Sequence, residues 1–168
     1  MLPLPVPDMA RMGRCAKLAW EHAVLRQAQA PGRTAGVNTA HLLHGVLMEP
    51  DCAGGLILRR MGVNLALVDE HASFMNLHAR PTPVTPERGT VDWQGVAHTP
   101  LAERVLALAL EEAGLYSDTY PIGTEHLLLG ILRLPDSTGA KVLGYMGVTE
   151  QAARTTRDAM WELLRLTE

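Results

Sequence analysis

Two histidines spaced three residues apart are the first candidates for chemistry in this chain. On a helix, His41 and His44 could face one metal ion together. Structural zinc sites take four ligands, and no third ligand is evident nearby. His41 also matches His126 in a second, similar segment, and a position shared in this way is more typical of a packed, hydrogen-bonded histidine. Metal binding is therefore the weaker interpretation.

The sequence contains no residue pattern typical of catalysis. Ser73, Ser117 and Ser137 lack the context of a nucleophile elbow, and no nucleophile, base and orienting acid can be grouped. The phosphate-binding patterns GxxxxGKS and GxxxxGKT are also absent from the 168 residues. We therefore predict that the chain is not an enzyme and needs no cofactor, with metal-binding or enzymatic reuse of the fold as the alternative.

The elements that would position any functional residue come from an internal duplication. Residues 39 to 63 read TAHLLHGVLMEPDCAGGLILRRMGV, and residues 124 to 148 read TEHLLLGILRLPDSTGAKVLGYMGV. At an offset of 85, 13 of these 25 positions are identical. Each copy of such a repeat is one supersecondary unit that cannot bury its apolar face alone, so the pair is the folded object.

The similarity between the copies extends upstream of these segments. Residues 9 to 23 align with residues 99 to 113 at an offset of 90, which places Met9 opposite Thr99. The change in offset predicts five extra residues in the loop APGRTAGVN of the first copy, since insertions in repeats fall in surface loops. We therefore divide a single domain, 1–168, into repeat one (9–80), a proline- and glycine-rich linker (81–98) and repeat two (99–168).

Apolar residues at helical spacing predict four helices in each repeat, and no alternating run predicts a strand. The predicted N-caps are Thr99 for the first helix of repeat two, Thr39 and Thr124 for the second helices, Asp51 and Asp136 for the third, and Asn64 and Thr149 for the fourth. Gly62 and Gly147 are expected to end the third helices. Glu111 and Glu112 are expected on a solvated helix side.

Charge, apolar runs and cysteine content limit the classes of binding partner and the cellular compartment that the sequence predicts. The net charge is −3, which gives no reason to expect binding to nucleic acid or to an anionic membrane. No apolar run is long enough to cross a bilayer, and the start MLPLPVPDM has no basic region before an apolar stretch. Cys15 and Cys52 form neither a CxxC motif nor a dense framework, so we predict a cytoplasmic protein.

Three segments of repeat two resemble a known family. The sequences HTPLAERVLALALEEA (98–113), GTEHLLLGILR (123–133) and GAKVLGYMGV (139–148) are similar to the Clp N-terminal repeat of the ClpA, ClpB and ClpC unfoldases, and most similar to the ClpC type. The resemblance covers both copies. It implies an all-α domain in which two four-helix repeats pack with pseudo-two-fold symmetry. Because the phosphate-binding loop is absent, we expect a freestanding N-domain and not an unfoldase.

The resemblance also implies a function. In the family, this domain recruits substrates and adaptor proteins to the ATPase ring, and in ClpC-type proteins of Gram-positive bacteria it binds phosphoarginine on proteins marked for degradation. The expected partners are therefore the Clp unfoldase and protease machinery, its adaptors or its client proteins. The chain would either deliver these ligands or sequester them as a decoy. Homo-oligomerisation is left open.

A phosphoarginine site needs a carboxylate for the guanidinium and backbone donors for the phosphate, which helix N-termini supply. The family provides a glutamate in the GTEH motif and a threonine at the start of the first helix. Repeat two has both, so the resemblance implies a ligand site at Thr99, Pro100 and Glu125. Repeat one has Met9 and Ala40 at the aligned positions. The alternative is that Thr99 and Glu125 only stabilise helix N-termini, by about 1 kcal/mol or less each.

Overall fold

Eight α-helices make up the part of the chain that the structure, a computed structural model, describes, namely residues 8–29, 36–78 and 96–166. Repeat one contains a short 3-10 helix at Met9–Arg11, then α1 (Arg14–Ala28), α2 (Thr39–Leu47), α3 (Ala53–Arg60) and α4 (Leu65–His78). Repeat two contains α5 (Pro100–Gly114), α6 (Thr124–Leu132), α7 (Thr138–Tyr145) and α8 (Glu150–Arg165). The described residues form no β-sheet, so the predicted all-α fold of two four-helix repeats is confirmed. Of the predicted linker 81–98, only residues 96–98 are described; the rest lies outside the described residues.

Several helix ends are set by the residues that the sequence predicts. Each predicted cap of α4, α5 and α8 accepts a hydrogen bond from the backbone amide three residues further on, namely Asn64, Thr99 and Thr149. Gly62 and Gly147 follow α3 and α7 with φ angles of 78° and 75°. Glycine is favoured in this left-handed conformation, which ends a helix.

The predicted caps of the second and third helices are wrong by one residue each. The N-cap residues are Asn38 for α2, Gly123 for α6, Cys52 for α3 and Ser137 for α7, and not Thr39, Thr124, Asp51 and Asp136. The two threonines are the first residues of their helices, where their hydroxyls are free to reach another helix.

Thr39 and Thr124 join the two repeats through buried hydrogen bonds. Thr124 Oγ1 accepts from Gly54 N of α3 at 2.9 Å, and Thr39 Oγ1 accepts from Gly139 N of α7 at 3.0 Å. A Cβ atom at either glycine would collide with the backbone of the threonine that it contacts. Each repeat thus supplies an acceptor for the third helix of the other, which gives the pseudo-two-fold symmetry an atomic basis.

The first helices are related by an offset of 86, measured from the start of α1 to the start of α5, and the predicted offset of 90 is wrong. Both helices have 15 residues, and at the new offset the buried Trp20 of α1 matches the buried Leu106 of α5. Gly13, and not Met9, therefore stands opposite Thr99. The loop that follows the first helix is one residue longer in repeat one, instead of five.

Both repeats contribute to one hydrophobic core. Its largest fully buried side chains come mainly from the first three helices of each repeat and include Trp20, Leu43, Leu106 and Leu128. Across the repeats α3 packs against α6 as α7 packs against α2, so neither half buries its apolar faces alone. Within the described ranges, no helix combines the length and apolar character needed to cross a membrane.

Candidate functional site

The starts of α1, α3 and α6 meet in one place, which we term the Glu125 cluster. Gly13 N, at the start of α1, donates a hydrogen bond to Ile122 O at 2.9 Å. Gly54 N, at the start of α3, donates to Thr124 Oγ1 of α6. Glu125 lies in the first turn of α6. Helix N-termini carry amides without intrahelical partners and a positive dipole end, so the cluster combines anion-binding backbone with one carboxylate.

The starts of α2, α5 and α7 form a second, pseudo-symmetric arrangement, which we term the Thr99 cluster. Thr99 N donates to Val37 O at 2.9 Å, and Gly139 N donates to Thr39 Oγ1. Ala40 occupies the position that matches Glu125. Each cluster therefore joins the first helix of one repeat to the second helix of the other.

Glu125 is an almost buried carboxylate without a hydrogen-bond donor among the described residues. Its side chain keeps only 10% of its accessible surface, and Oε1 lies 3.7 Å from His126 Nδ1. That nitrogen already accepts a hydrogen bond from Gly123 N at 2.9 Å, so it carries no proton for the carboxylate. Removing a carboxylate from water without a donor or a cation is costly, so this arrangement suits a cationic group supplied by a ligand.

His126 lies under the same cluster and is neutral. Burial lowers its pKa, and the rings of Tyr116 and Tyr120 each pack against the imidazole at a centroid distance of 5.8 Å. In repeat one, His41 Nδ1 accepts from Asn38 N at 3.1 Å, and burial, with the charges of nearby groups, lowers the pKa of His41 to about 4. The prediction of a packed, hydrogen-bonded histidine at this shared position is confirmed in both repeats.

The second histidine of the predicted metal pair has a different partner. His44 Nδ1 lies 3.1 Å from Asp69 Oδ1 of α4, while His41 Nδ1 is engaged with the backbone of its own N-cap. Among the residues that the structure describes, no group of three or more His, Cys, Asp and Glu side chains is placed to hold a metal ion.

The structure does not bring the three predicted ligand residues together. Thr99 and Pro100 start α5 in the Thr99 cluster, where Thr99 N donates to Val37 O and Thr99 Oγ1 accepts from Ala102 N at 3.3 Å. Glu125 lies in the other cluster, and no hydrogen bond or ion pair within the described part of the chain links it to Thr99. Ligand binding by these residues remains a prediction, and the geometry assigns them to different clusters.

A disulfide bond, which the spacing of the two cysteines did not predict, closes the Glu125 cluster. Cys15, in the first turn of α1, is bonded to Cys52, the N-cap of α3, with their Cα atoms 6.2 Å apart. The matching positions of the Thr99 cluster are Leu101 and Ser137, so the cross-link exists in one cluster alone. Gly13, the N-cap of α1, has no side chain to cap the helix, which leaves the first amides of α1 available to a ligand.

Glu112 is buried, so the prediction that it is solvated is wrong. Its side chain is 3% exposed, and it accepts two hydrogen bonds from Arg154 at 2.8 and 2.7 Å and one from Arg133 at 3.1 Å. Burial opposes the charge of Glu112, but the hydrogen bonds and charges of the two arginines outweigh it and lower the pKa of this carboxyl. Arg154 is 42 residues away in sequence, so no local pattern could have revealed the pair.

Comparisons with known proteins give a consistent result. Residues 22–144 and 97–164 match the family model of the Clp repeat (R) N-terminal domain. Chaperone protein ClpC1, chloroplastic, of Arabidopsis thaliana is 35% identical over 135 residues, which are 79% of this chain and 14% of that protein. The negative regulator of genetic competence ClpC/MecB of Bacillus subtilis is 29% identical over 118 residues, 70% of this chain and 13% of that protein.

A solved structure has the same fold. The N-terminal domain of the caseinolytic protease associated chaperone ClpD from Arabidopsis thaliana superposes with a TM-score of 0.65 at 21% identity, covering 96% of this chain and 98% of that one. At this identity the likeness shows the fold alone.

Proposed function

The chain belongs to the Clp repeat N-terminal domain family, and we propose that it is a non-enzymatic protein-binding module of the Clp system. In this proposal it engages Clp adaptors, client proteins or phosphoarginine-marked proteins in the cytoplasm, as an accessory factor or a decoy for a ClpC-type unfoldase. The chain spans only 13% to 14% of the length of the Clp relatives named above, so their partners come to it as part of the proposal.

The almost buried Glu125 carboxylate, which lacks a donor within the described residues, is the observation that supports this proposal most directly. A guanidinium group could donate two hydrogen bonds to a carboxylate, and such charge-assisted bonds are among the strongest in proteins. The start of α1 adjoins the same cluster and offers uncapped amides, the positive end of its dipole and the exposed Arg14 for a phosphate. We therefore place a phosphoarginine-like ligand between Glu125 and the start of α1.

This placement revises the role that the sequence gave to Thr99 and Pro100. Thr99 already caps α5, Pro100 has no amide hydrogen to donate, and Ala40 offers no carboxylate for a guanidinium. Any ligand of the Thr99 cluster would be a simple anion, so we expect the two clusters of the described residues to provide one guanidinium site between them.

Calorimetric titration with free phosphoarginine tests the site. We expect one site in the unmodified chain, and Glu125→Gln should weaken binding by roughly ten-fold to a hundred-fold, because a charge-assisted hydrogen bond contributes about 1.5–3 kcal/mol and 1.4 kcal/mol is ten-fold. Thr99→Ala is the matched control and should leave the affinity unchanged. A loss of binding in Thr99→Ala with no effect of Glu125→Gln would overturn the assignment.

The role in the Clp system is tested separately. An arginine-phosphorylated model protein should be retained by the immobilised chain, and the same protein without phosphorylation should not. In a degradation assay with a ClpC-type unfoldase and its protease, addition of the chain should slow degradation if it is a decoy and accelerate it if it delivers substrates. An unchanged rate together with no retention of the phosphorylated protein would contradict the proposed function.

A further inference from the structure

The disulfide bond of the Glu125 cluster joins two helix starts that other contacts also hold in place. Gly13 N, directly before α1, donates a hydrogen bond to Ile122 O at 2.9 Å. Gly54 N, in the first turn of α3, donates to Thr124 Oγ1 at 2.9 Å. Both acceptors belong to the start of α6, and each cysteine lies two residues from one of these amides. The bond can therefore open and close again while the two sulfur atoms remain neighbours.

A cysteine at the N-cap of α3 is not explained by the stability of that helix. At the matching position of repeat two, Ser137 Oγ accepts a hydrogen bond from Ala140 N at 3.2 Å and so caps α7. Cys52 makes no such bond, and its sulfur is joined to Cys15 instead. Because serine is among the preferred N-cap residues and cysteine is not, the pair of cysteines indicates a role in thiol chemistry.

The two sulfur atoms have different electrostatic surroundings. Cys15 lies in the first turn of α1, which contains Arg14 and no acidic residue, and a helix N-terminus stabilises a thiolate. Cys52 Sγ lies 3.9 Å from Glu49 Oε2, and the other oxygen of that carboxylate lies 3.2 Å from His22 Nε2. A neighbouring carboxylate disfavours a thiolate, which is the reactive form of cysteine. Cys15 is therefore the more reactive residue when the bond is reduced.

We propose that Cys15 and Cys52 form a reversible redox pair, in which a peroxide oxidises Cys15 and Cys52 completes the disulfide bond. Both residues are half-buried, so a molecule as small as a peroxide can reach them. The cytoplasm of the proposed function keeps thiols reduced, and disulfide bonds that form there are mostly transient and catalytic or redox-sensing. The disulfide form is thus the product of oxidation, and the dithiol is the resting form.

The reaction has two steps. The Cys15 thiolate attacks one oxygen of hydrogen peroxide, the O–O bond breaks, and a sulfenic acid forms as hydroxide leaves. The Cys52 thiol then attacks the sulfur of the sulfenic acid, the S–O bond breaks, and water leaves with the thiol proton. The two thiols lose two electrons, and the peroxide gains them. A dithiol reverses the reaction by exchange through a mixed disulfide and is itself oxidised to a disulfide.

The redox state also controls the ligand site, an effect that rests on the proposed function. That function assigns the amides at the start of α1 to a phosphate, and Cys15 belongs to the same turn. In the disulfide its sulfur carries no charge. In the reduced chain a thiolate adds a negative charge there, which repels a phosphate and competes with it for the helix dipole. Oxidation therefore strengthens the binding of a phosphoarginine-like ligand.

Mass spectrometry of the reduced chain after treatment with hydrogen peroxide tests the reaction. The Cys52→Ser variant should accumulate a sulfenic acid at Cys15, which a 1,3-diketone reagent traps, and Cys15→Ser should react about ten-fold more slowly or less. The unmodified chain should form the disulfide and regain both thiols with a dithiol, while its circular dichroism stays helical. Equal rates in the two variants, or unfolding of the reduced chain, would overturn the proposal.

Calorimetric titration with phosphoarginine tests the effect on the site. The reduced chain should bind roughly three-fold to ten-fold more weakly than the oxidised chain. The same two variants separate charge from cross-link, because both lack the bond and only Cys52→Ser keeps the Cys15 thiol. Cys52→Ser should bind more weakly than Cys15→Ser, and equal affinities would contradict the effect of charge. Absence of binding in every form would overturn the proposed function, whereas the peroxide reaction is judged by mass spectrometry alone.

Discussion

The ion pair between the first and fourth helices has opposite polarity in the two repeats. In repeat two, α5 supplies the carboxylate of Glu112 and α8 supplies Arg154. In repeat one, α1 supplies Arg26 and α4 supplies Asp69, at 3.5 Å. The residues occupy equivalent positions at offsets of 86 and 85, so the duplicated fold has kept the place of the pair and exchanged its charges.

The two pairs also differ in their surroundings. The Glu112 side chain is 3% exposed and contacts a second arginine, Arg133, whereas Arg26 and Asp69 are each about one third exposed, at 35% and 33%. Repeat one has the Cys15–Cys52 disulfide instead, at a place where repeat two has no cross-link. The comparison indicates that the two halves are stabilised by different interactions. Repeat two has a buried ion pair, and repeat one has a disulfide bond.

The largest expected effect comes from breaking the buried pair. Glu112→Ala should lower the free energy of unfolding by about 3 kcal/mol, because removing one partner leaves the charges of Arg133 and Arg154 without their shared acceptor. Asp69→Ala, the matched change in repeat one, should cost less, about 1–2 kcal/mol, since its pair with Arg26 is one third exposed and only the hydrogen bond to His44 is lost in addition. Urea denaturation of both variants measures the difference. Equal losses would contradict the distinction between the pairs.

The hydrogen bonds that Thr39 and Thr124 form between the repeats should contribute equally to the free energy of unfolding, whereas the two ion pairs should not. Thr124→Val and Thr39→Val each remove the acceptor of a buried amide while keeping the side-chain shape, so each should cost about 1–3 kcal/mol. Thr155→Val, at an exposed position of α8, is the control and should cost less than about 0.5 kcal/mol. Thermal and urea unfolding of the three variants provide the values. A large effect in only one of the two buried variants would show that the two hydrogen bonds share their geometry but contribute differently to stability.

The smallest expected effect is a dependence on pH that the two repeats share. His41 and His126 are neutral in the folded chain because burial lowers their pKa, to about 4 for His41, from 6.5. Below pH 6.5 the unfolded chain binds the protons that the folded chain excludes, so stability is complete above pH 6.5 and is lost as the pH falls towards 4. For His41 the loss at pH 5 should be about 1–2 kcal/mol.

Glutamine substitutions separate this titration from the hydrogen bond. A glutamine at the third helical position can accept from the N-cap amide, as each histidine does now, but it does not titrate. His41→Gln and His126→Gln should therefore each flatten the decline of stability between pH 6.5 and 4, measured by urea denaturation across that range. If neither variant changes the slope, the pH dependence arises elsewhere.

Much of the fold could be predicted from the sequence because the repeats are so similar between residues 39–63 and 124–148. The helix count, the stops at Gly62 and Gly147 and the caps at Asn64 and Thr149 depend on local chemistry that two copies confirm. The alignment of the first helices failed for a physical reason. A slip of four residues is close to one helical turn of 3.6 residues, so apolar positions still coincide with apolar positions.

The candidate site could be predicted only in part. Glu125 and Thr99 were found from a motif, but the sequence does not show that the start of α1 adjoins α6 and that the start of α5 adjoins α2. Pairing of Cys15 with Cys52 and burial of Glu112 depend on the same long-range contacts. Local patterns report helix ends and faces; they do not report which ends meet.

The reciprocal bonds of Thr39 and Thr124 have a consequence for the origin of the molecule. One threonine hydroxyl of each repeat accepts a hydrogen bond from a glycine amide of the other repeat. Reciprocal contacts of this kind define an isologous interface between two identical subunits. Two separate copies of an ancestral half-length chain could satisfy every one of these contacts as a homodimer. Joining the copies in one gene would then replace a concentration-dependent association by a permanent one. It would also release each half to change on its own, as the exchanged ion pair, the single disulfide and the single carboxylate at Glu125 illustrate.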